Sequence, residues 1–413
     1  MITANDLYHR ITIEQAKAQL EAICRTYLDT DSEGNPLIPT NRQRPVMLMG
    51  PAGIGKTDIP KQTAEKLGLG YVSYSITHHT RQSALGLPKI VLKNYGGNEV
   101  SATEYTASEI VTAVKDEIER TGNPNGILFL DEINCASETL SAPLMQLFQN
   151  KTLGQSKIPD GWVIIMAGNP PEYNKSVKEF DAVTRDRIRI INVIPDSKAW
   201  LEYAQAKNIH PAIISFIKSD PENIYKFEEN ENSIVTPRGW EELSITLRAY
   251  EAGGFPITVD LIEQFLSVPT IAASFYDYYR MVSEIVSDKE IGMIIDGSVS
   301  ASAKAKLRGS AVSVRFMLVE CLKRQLHNIA LEDAAVASDA LTNVADFIED
   351  TYGKSGELEI LMGEMLSDPT IVKAAIRSGN ERFRKYLDDV ANAETEIRKK
   401  IKKTRKSKGD GNE

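Results

Sequence analysis

At 413 residues the chain is too long for one hydrophobic core, and at roughly 100–200 residues per domain it should hold two or three. Its composition, 42% apolar and 25% charged with a net charge of -9, reads as soluble and globular and excludes a general coat for nucleic acid. No run of about 18 apolar residues exists to cross a membrane, and Cys24, Cys135 and Cys321 are too far apart for a disulfide framework or a cysteine metal site.

Residues 7–28 predict an amphipathic helix, with Ile13, Ala16, Leu20, Ile23 and Leu28 close to one face. After a turn-rich linker comes an apolar strand, Val46 to Met49, then a glycine-rich loop and a helix. A second strand is expected over 71–76. Thr77, His78 and His79 follow it and match no signature; neighbouring residues on a strand face opposite ways, so the two histidines are poorly placed to share a metal. A hairpin is expected over 89–105 around Gly96-Gly97, and a helix from Thr106, with Thr106 and Glu109 as its capping box. Further apolar strands read at 127–130, 163–167 and 189–194, with a helix carrying Leu140, Leu144, Leu147 and Phe148 between the first two. The alternation predicts an α/β fold: a mainly parallel sheet with helices on both faces and its ligand beyond the strands' carboxyl ends. Residues 196–285 and most of 286–397 read as helical, including 312–326 and 335–350.

Two motifs sit at those strand ends. Gly50-Pro51-Ala52-Gly53-Ile54-Gly55-Lys56-Thr57 is GxxxxGK[ST], the Walker A loop. Its glycines let backbone N–H groups surround phosphates, the next helix adds its positive end, Lys56 reaches the terminal phosphates and Thr57 ligates Mg2+. Four apolar residues followed by Asp131 and Glu132 match a Walker B strand, with Asp131 holding the metal and Glu132 polarising the attacking water. A Ras-type GTPase would show DxxG at this point and NKxD elsewhere; Asn174-Lys175-Ser176-Val177 lacks the aspartate. ATP with Mg2+ is therefore the expected ligand pair.

Further along, VIIMAGNPP at 163–171 resembles the sensor-1 strand of AAA+ ATPases, with Asn169 at its tip. DAVTRDR at 181–187 resembles the segment that offers an arginine finger to the neighbouring subunit, and VTPRGW at 235–240 the sensor-2 motif. The phrases FLDEINCAS, LMQLFQNKTLG, PDGW, AGNPP and TPRGW resemble the MoxR-type, dynein- and midasin-related branch, and the hairpin resembles that branch's insertion. The resemblance spans about residues 40–285. It implies that Asn169 holds the lytic water, that Arg187 (or Arg185) acts in trans, and that Arg238 senses the γ-phosphate. The segment departs from its relatives in placing Ile188 where they usually carry phenylalanine.

With the two ends read from periodicity and charge alone, the resemblance divides the chain into an N-terminal helix and linker (1–40), an AAA+ P-loop core (41–195), a helical lid (196–285), a helical C-terminal region (286–397) and a basic tail (398–413). It implies an ATP hydrolase in a homo-oligomeric ring, a hexamer by family habit, remodelling a protein partner, with a von Willebrand factor A-type protein as a possible companion. The alternative is a motor acting on nucleic acid. Residues 398–408 hold eight cations, which read as a solvated end or as an arm for an anionic partner. Asp296, Ser298 and Ser300 spell DxSxS, the metal-site pattern of von Willebrand A domains, but the short chain after them favours a turn capping a helix near Ala301. The N-terminus lacks an apolar signal core, so the expected address is the cytoplasm.

Overall fold

The computed structural model describes residues 10–78, 80–173, 177–230, 233–283, 288–310, 312–332, 334–353, 358–378 and 386. His79 and the basic run at 398–408 lie outside them. By its internal contacts the chain divides into two compact units. One comprises residues 1–200 with 224–239, the other residues 201–223 with 240–413.

The first unit is built on a six-stranded sheet. Its strands are β1 (Arg10–Ile11), β2 (Val46–Met49), β3 (Gly70–Ser75), β6 (Gly126–Asp131), β9 (Trp162–Gly168) and β10 (Arg189–Val193). The order is β1-β10-β2-β9-β6-β3, and every pairing is parallel. Side chains alternate across the sheet as the period of two requires. Val46 and Leu48, Ile127 and Phe129, and Val163 and Ile165 face one layer, which contains α1 (Ile13–Leu28) and α2 (Asp58–Leu67). Met47, Leu128, Leu130, Ile164 and Met166 face the other, with α4 (Glu109–Thr121) and α5 (Glu138–Asn150). Strands buried on both faces explain their unbroken apolar runs. The chain leaves β2 for β3 at the far edge, while β10 lies on β2's other side. β2 is thus the switch point, where such sheets bind ligands.

Three local expectations change. Residues 10–11 form an edge strand on β10, and the first helix starts only after Thr12, whose hydroxyl accepts from Gln15 N while the Gln15 amide accepts from Thr12 N. The helix expected from Thr106 begins at Glu109 behind Ser108; the Thr106 hydroxyl instead accepts from Leu87 N at 2.8 Å, closing the base of the hairpin β4 (Pro88–Tyr95) and β5 (Asn98–Tyr105). Within the stretch expected to be helical, β11 (Lys226–Glu228) and β12 (Ser233–Val235) form an antiparallel pair in the first unit. A small pair, β7 (Thr152–Leu153) with β8 (Ser156–Lys157), and the short helices α3 (Arg81–Leu85) and α6 (Ala182–Arg185) complete that unit's named elements.

Helices α7 (Ser197–Ala206) and α9 (Pro237–Gly253) run across the division between the units. The second unit is otherwise helical: α8 (Pro211–Ser219), α10 (Val259–Glu263), α11 (Pro269–Ser283), α12 (Asp288–Ile295), α13 (Ala301–Arg308), α14 (Val312–Glu332), α15 (Ala334–Tyr352), α16 (Leu358–Met365) and α17 (Pro369–Ser378). Phe216, Trp240, Phe275 and Tyr278 pack ring against ring in its interior. The apolar run before Asp296 is helix α12, so no von Willebrand A-type strand precedes the DxSxS phrase. Ser300 instead caps α13, accepting from Ala303 N at 3.2 Å.

Candidate active site

The glycine-rich loop joins β2 to α2. Gly53 has φ +71, and a Cβ there would lie 2.7 Å from the Thr236 Cβ; both conditions require glycine. Thr236 is held because its hydroxyl caps α9 through Gly239 N at 3.0 Å, and the next residue but one, Arg238, donates its backbone N–H to Gly53 O at 3.2 Å. The β11–β12 hairpin thus delivers Arg238 to the loop.

Lys56 is only 8% exposed. Its ammonium donates to Gly50 O (2.8 Å), to Pro51 O and to Asn169 Oδ1 (2.8 Å). Burial pushes its pKa down to about 8; Asp131 pulls it up and Arg238 pushes it further down. Thr57 stands at the start of α2, yet its hydroxyl makes no cap. It donates to Asp131 Oδ2 at 2.9 Å across the sheet. The site residues 50–57, Asp131 and Asn169 therefore converge at the carboxyl ends of β2, β6 and β9.

Glu132 has φ 55, a left-handed conformation uncommon for a side-chain-bearing residue and found at functional turns. Asp131 Oδ1 accepts its backbone N–H at 2.9 Å and supports the turn. The carboxylate of Glu132 accepts from Ser75 Oγ (3.2 Å) and Thr77 Oγ1 (3.0 Å). Neither hydroxyl was singled out by motif. The signal was positional: β3 lies beside β6 with Ser75 opposite Asp131, so the end of β3 must face the acidic pair. Asn134 was likewise missed; its Nδ2 donates to Asn169 O at 2.7 Å.

Arg185 and Arg187 are anchored in their own segment. Asp181 caps α6 through Thr184 N at 2.8 Å, and the Thr184 side chain first, then that backbone bond, ahead of the nearby charge of Arg187, hold its carboxyl below the usual range. Arg185 donates to Phe180 O at 3.1 Å and lies 4.0 Å from Glu179, while Asp186 pairs with Arg44 at 3.7 Å.

A parallel sheet with its phosphate loop at the switch point, a buried lysine and a threonine bonded to the acid of the next-but-one strand together define a P-loop nucleotide-binding domain. Within that class, residues 45–188 match the family model of the AAA domain, dynein-related subfamily, which supports an AAA-type ATPase domain over that span. No curated protein matches the chain.

Proposed function

We propose that the chain hydrolyses ATP at sites completed by a neighbouring copy and uses the cycle to remodel a protein partner. The observation that carries the catalytic part is the convergence of Lys56, Thr57, Asp131, Glu132 and Asn169 at three neighbouring strand ends. A hydroxyl and a carboxylate 2.9 Å apart are oxygen donors that suit Mg2+, and Thr57 and Asp131 would hold it. Bound there with the nucleotide, it would neutralise phosphate charge. Lys56 exchanges its loop carbonyls for phosphate oxygens. Asn169 and Glu132 hold the water, with the Glu132 carboxylate taking its proton. Arg238 follows the nucleotide from the loop side, and Arg187 of a second copy, or Arg185, stabilises charge on the transferred phosphoryl group.

Protein is favoured over nucleic acid as the partner by the β4–β5 hairpin. Its exposed face carries Ile90 and Leu92, 78% and 69% exposed, while its two lysines, Lys89 and Lys93, are balanced by Glu99 and Glu104. A grip on a phosphate backbone calls for excess cations. The ring and its MoxR-type role are supported by the motifs at 129–137, 144–154 and 235–240.

The test is Glu132→Gln. It should keep ATP affinity within about twofold while turnover falls at least about 10²-fold, as expected for losing a general base. Wild-type turnover in that variant would remove Glu132 from the reaction.

A further inference from the structure

The hydrogen-bonded ladder between β6 and β9 runs from Gly126 opposite Trp162 to Leu130 opposite Met166, and stops there. Asp131 and Glu132 lie beyond its end on one strand and Asn169 on the other. Something other than the ladder must set the distance between the two groups that face the water. The chain turns sharply at Glu132 and enters a 3₁₀ turn, Ile133–Cys135, which folds Asn134 back toward β9. Asn134 is 3% exposed. Its Nδ2 donates to Asn169 O at 2.7 Å, and its own backbone carbonyl accepts from Lys178 N at 2.9 Å. The amide reaches this place because residue 168 is glycine: a Cβ there would lie 2.3 Å from Asn134 Oδ1 and 2.6 Å from the Met47 methyl. The side chain thus adds one more cross-strand hydrogen bond where the ladder has ended. On the far side, the Asn169 amide oxygen takes the ammonium of Lys56.

We infer that Asn134 is a positioning residue for hydrolysis: its amide fixes the Asn169 tip relative to Glu132. The inference rests on the roles given above to Glu132 and Asn169. Reacting groups displaced by about 1 Å can lose about 10²-fold in rate, so one hydrogen bond at this place has leverage that its own strength would not suggest.

Asn134→Asp in the full chain keeps the shape and removes the donor. Turnover should fall about 10- to 100-fold with the KM for ATP within about twofold of wild type. In an Asn169→Ala background the same substitution should cost nothing further, because the group it positions is gone. If the aspartate variant does not fold, Asn134→Ala carries the same cycle. Unchanged turnover at position 134, a weakened KM with kcat intact, or losses at 134 and 169 that multiply would each overturn the inference. A fast Asn134→Asp beside a slow Asn169→Ala overturns this inference alone. Wild-type turnover in Asn169→Ala overturns the role of Asn169 and this inference with it.

Discussion

Lys56 shows how one residue stores the difference between the free and occupied site. Its ammonium donates to two carbonyls and an amide oxygen, and burial lowers its pKa to about 8. A triphosphate at the same place favours the charged form and raises that pKa. Between the two values, binding takes up a proton, so affinity falls as pH rises above the free-site value. ATP should therefore bind about tenfold more weakly at pH 9 than at pH 7. Calorimetry in buffers of different ionisation enthalpy should show proton uptake at pH 8.5. A flat dissociation constant from pH 7 to 9.5 would mean that Lys56 stays charged throughout. The residues of this loop were legible in the sequence because the motif encodes backbone geometry that few other sequences permit. Ser75 and Thr77 were not, since two hydroxyls acquire meaning only when β3 is laid against β6.

At the scale of elements, buried strands were legible from their apolar runs, and the β4–β5 hairpin from Gly96-Gly97. What failed was competition among local hydrogen bonds. Thr106 has the spacing of a capping box, but Leu87, just before the hairpin's opening strand, claims its hydroxyl first. The run at 291–295 is apolar enough for a strand and becomes a helix, an ambiguity that periodicity does not resolve over so few residues. The short β11–β12 pair leaves almost no sequence signal, yet it brings Arg238 to Gly53. Two predictions belong here. A two-stranded hairpin contributes little to the core, so Ile90→Ser with Leu92→Ser should change stability by less than about 0.5 kcal/mol and leave basal hydrolysis intact. Stimulation of hydrolysis by an unfolded model polypeptide should disappear in that variant. Stimulation of the wild type by single-stranded nucleic acid alone would instead favour the other partner class. In the second unit, Lys218 and Lys323 share Glu320 and Glu364, tying α8, α14 and α16 together. Glu320 is 4% exposed. Burial alone would raise the Glu364 pKa, but Lys323 and Lys218 outweigh it and hold the carboxyl at about 2. A depressed carboxylate adds stability above its unfolded pKa, which is lost as pH falls toward the folded value; the window runs from about 4.5 down to about 2. Glu320→Ala leaves Lys218 and Lys323 to share the single carboxylate of Glu364, one negative charge short, and should cost about 3 kcal/mol in chemical denaturation.

At the scale of the whole molecule, the proposed catalysis needs more than one copy of the chain. Within one chain, Lys56, Thr57, Asp131 and Asn169 are joined by direct hydrogen bonds, whereas Arg185 and Arg187 are held in the segment after Asp181. The proposed arginine from a neighbour fits that division, and it would make turnover conditional on assembly. The consequence is quantitative. Arg187→Ala should leave nucleotide affinity intact but reduce turnover by about 10³-fold or more in every site of its own assembly. Lys56→Ala should fail for the opposite reason, having the arginine and no seat for phosphate. In a random one-to-one mixture, about a quarter of the sites pair an intact Lys56 with an intact Arg187 across a head-to-tail interface. Hydrolysis should therefore return when two inactive proteins are combined, with a maximum near equal proportions. The same mixture with Arg185→Ala decides between the two arginines, because only the variant lacking the finger is complemented in this way. If no ratio of the two proteins restores activity while both still assemble, the arginine acts within its own chain or takes no part, and the site is completed by something else.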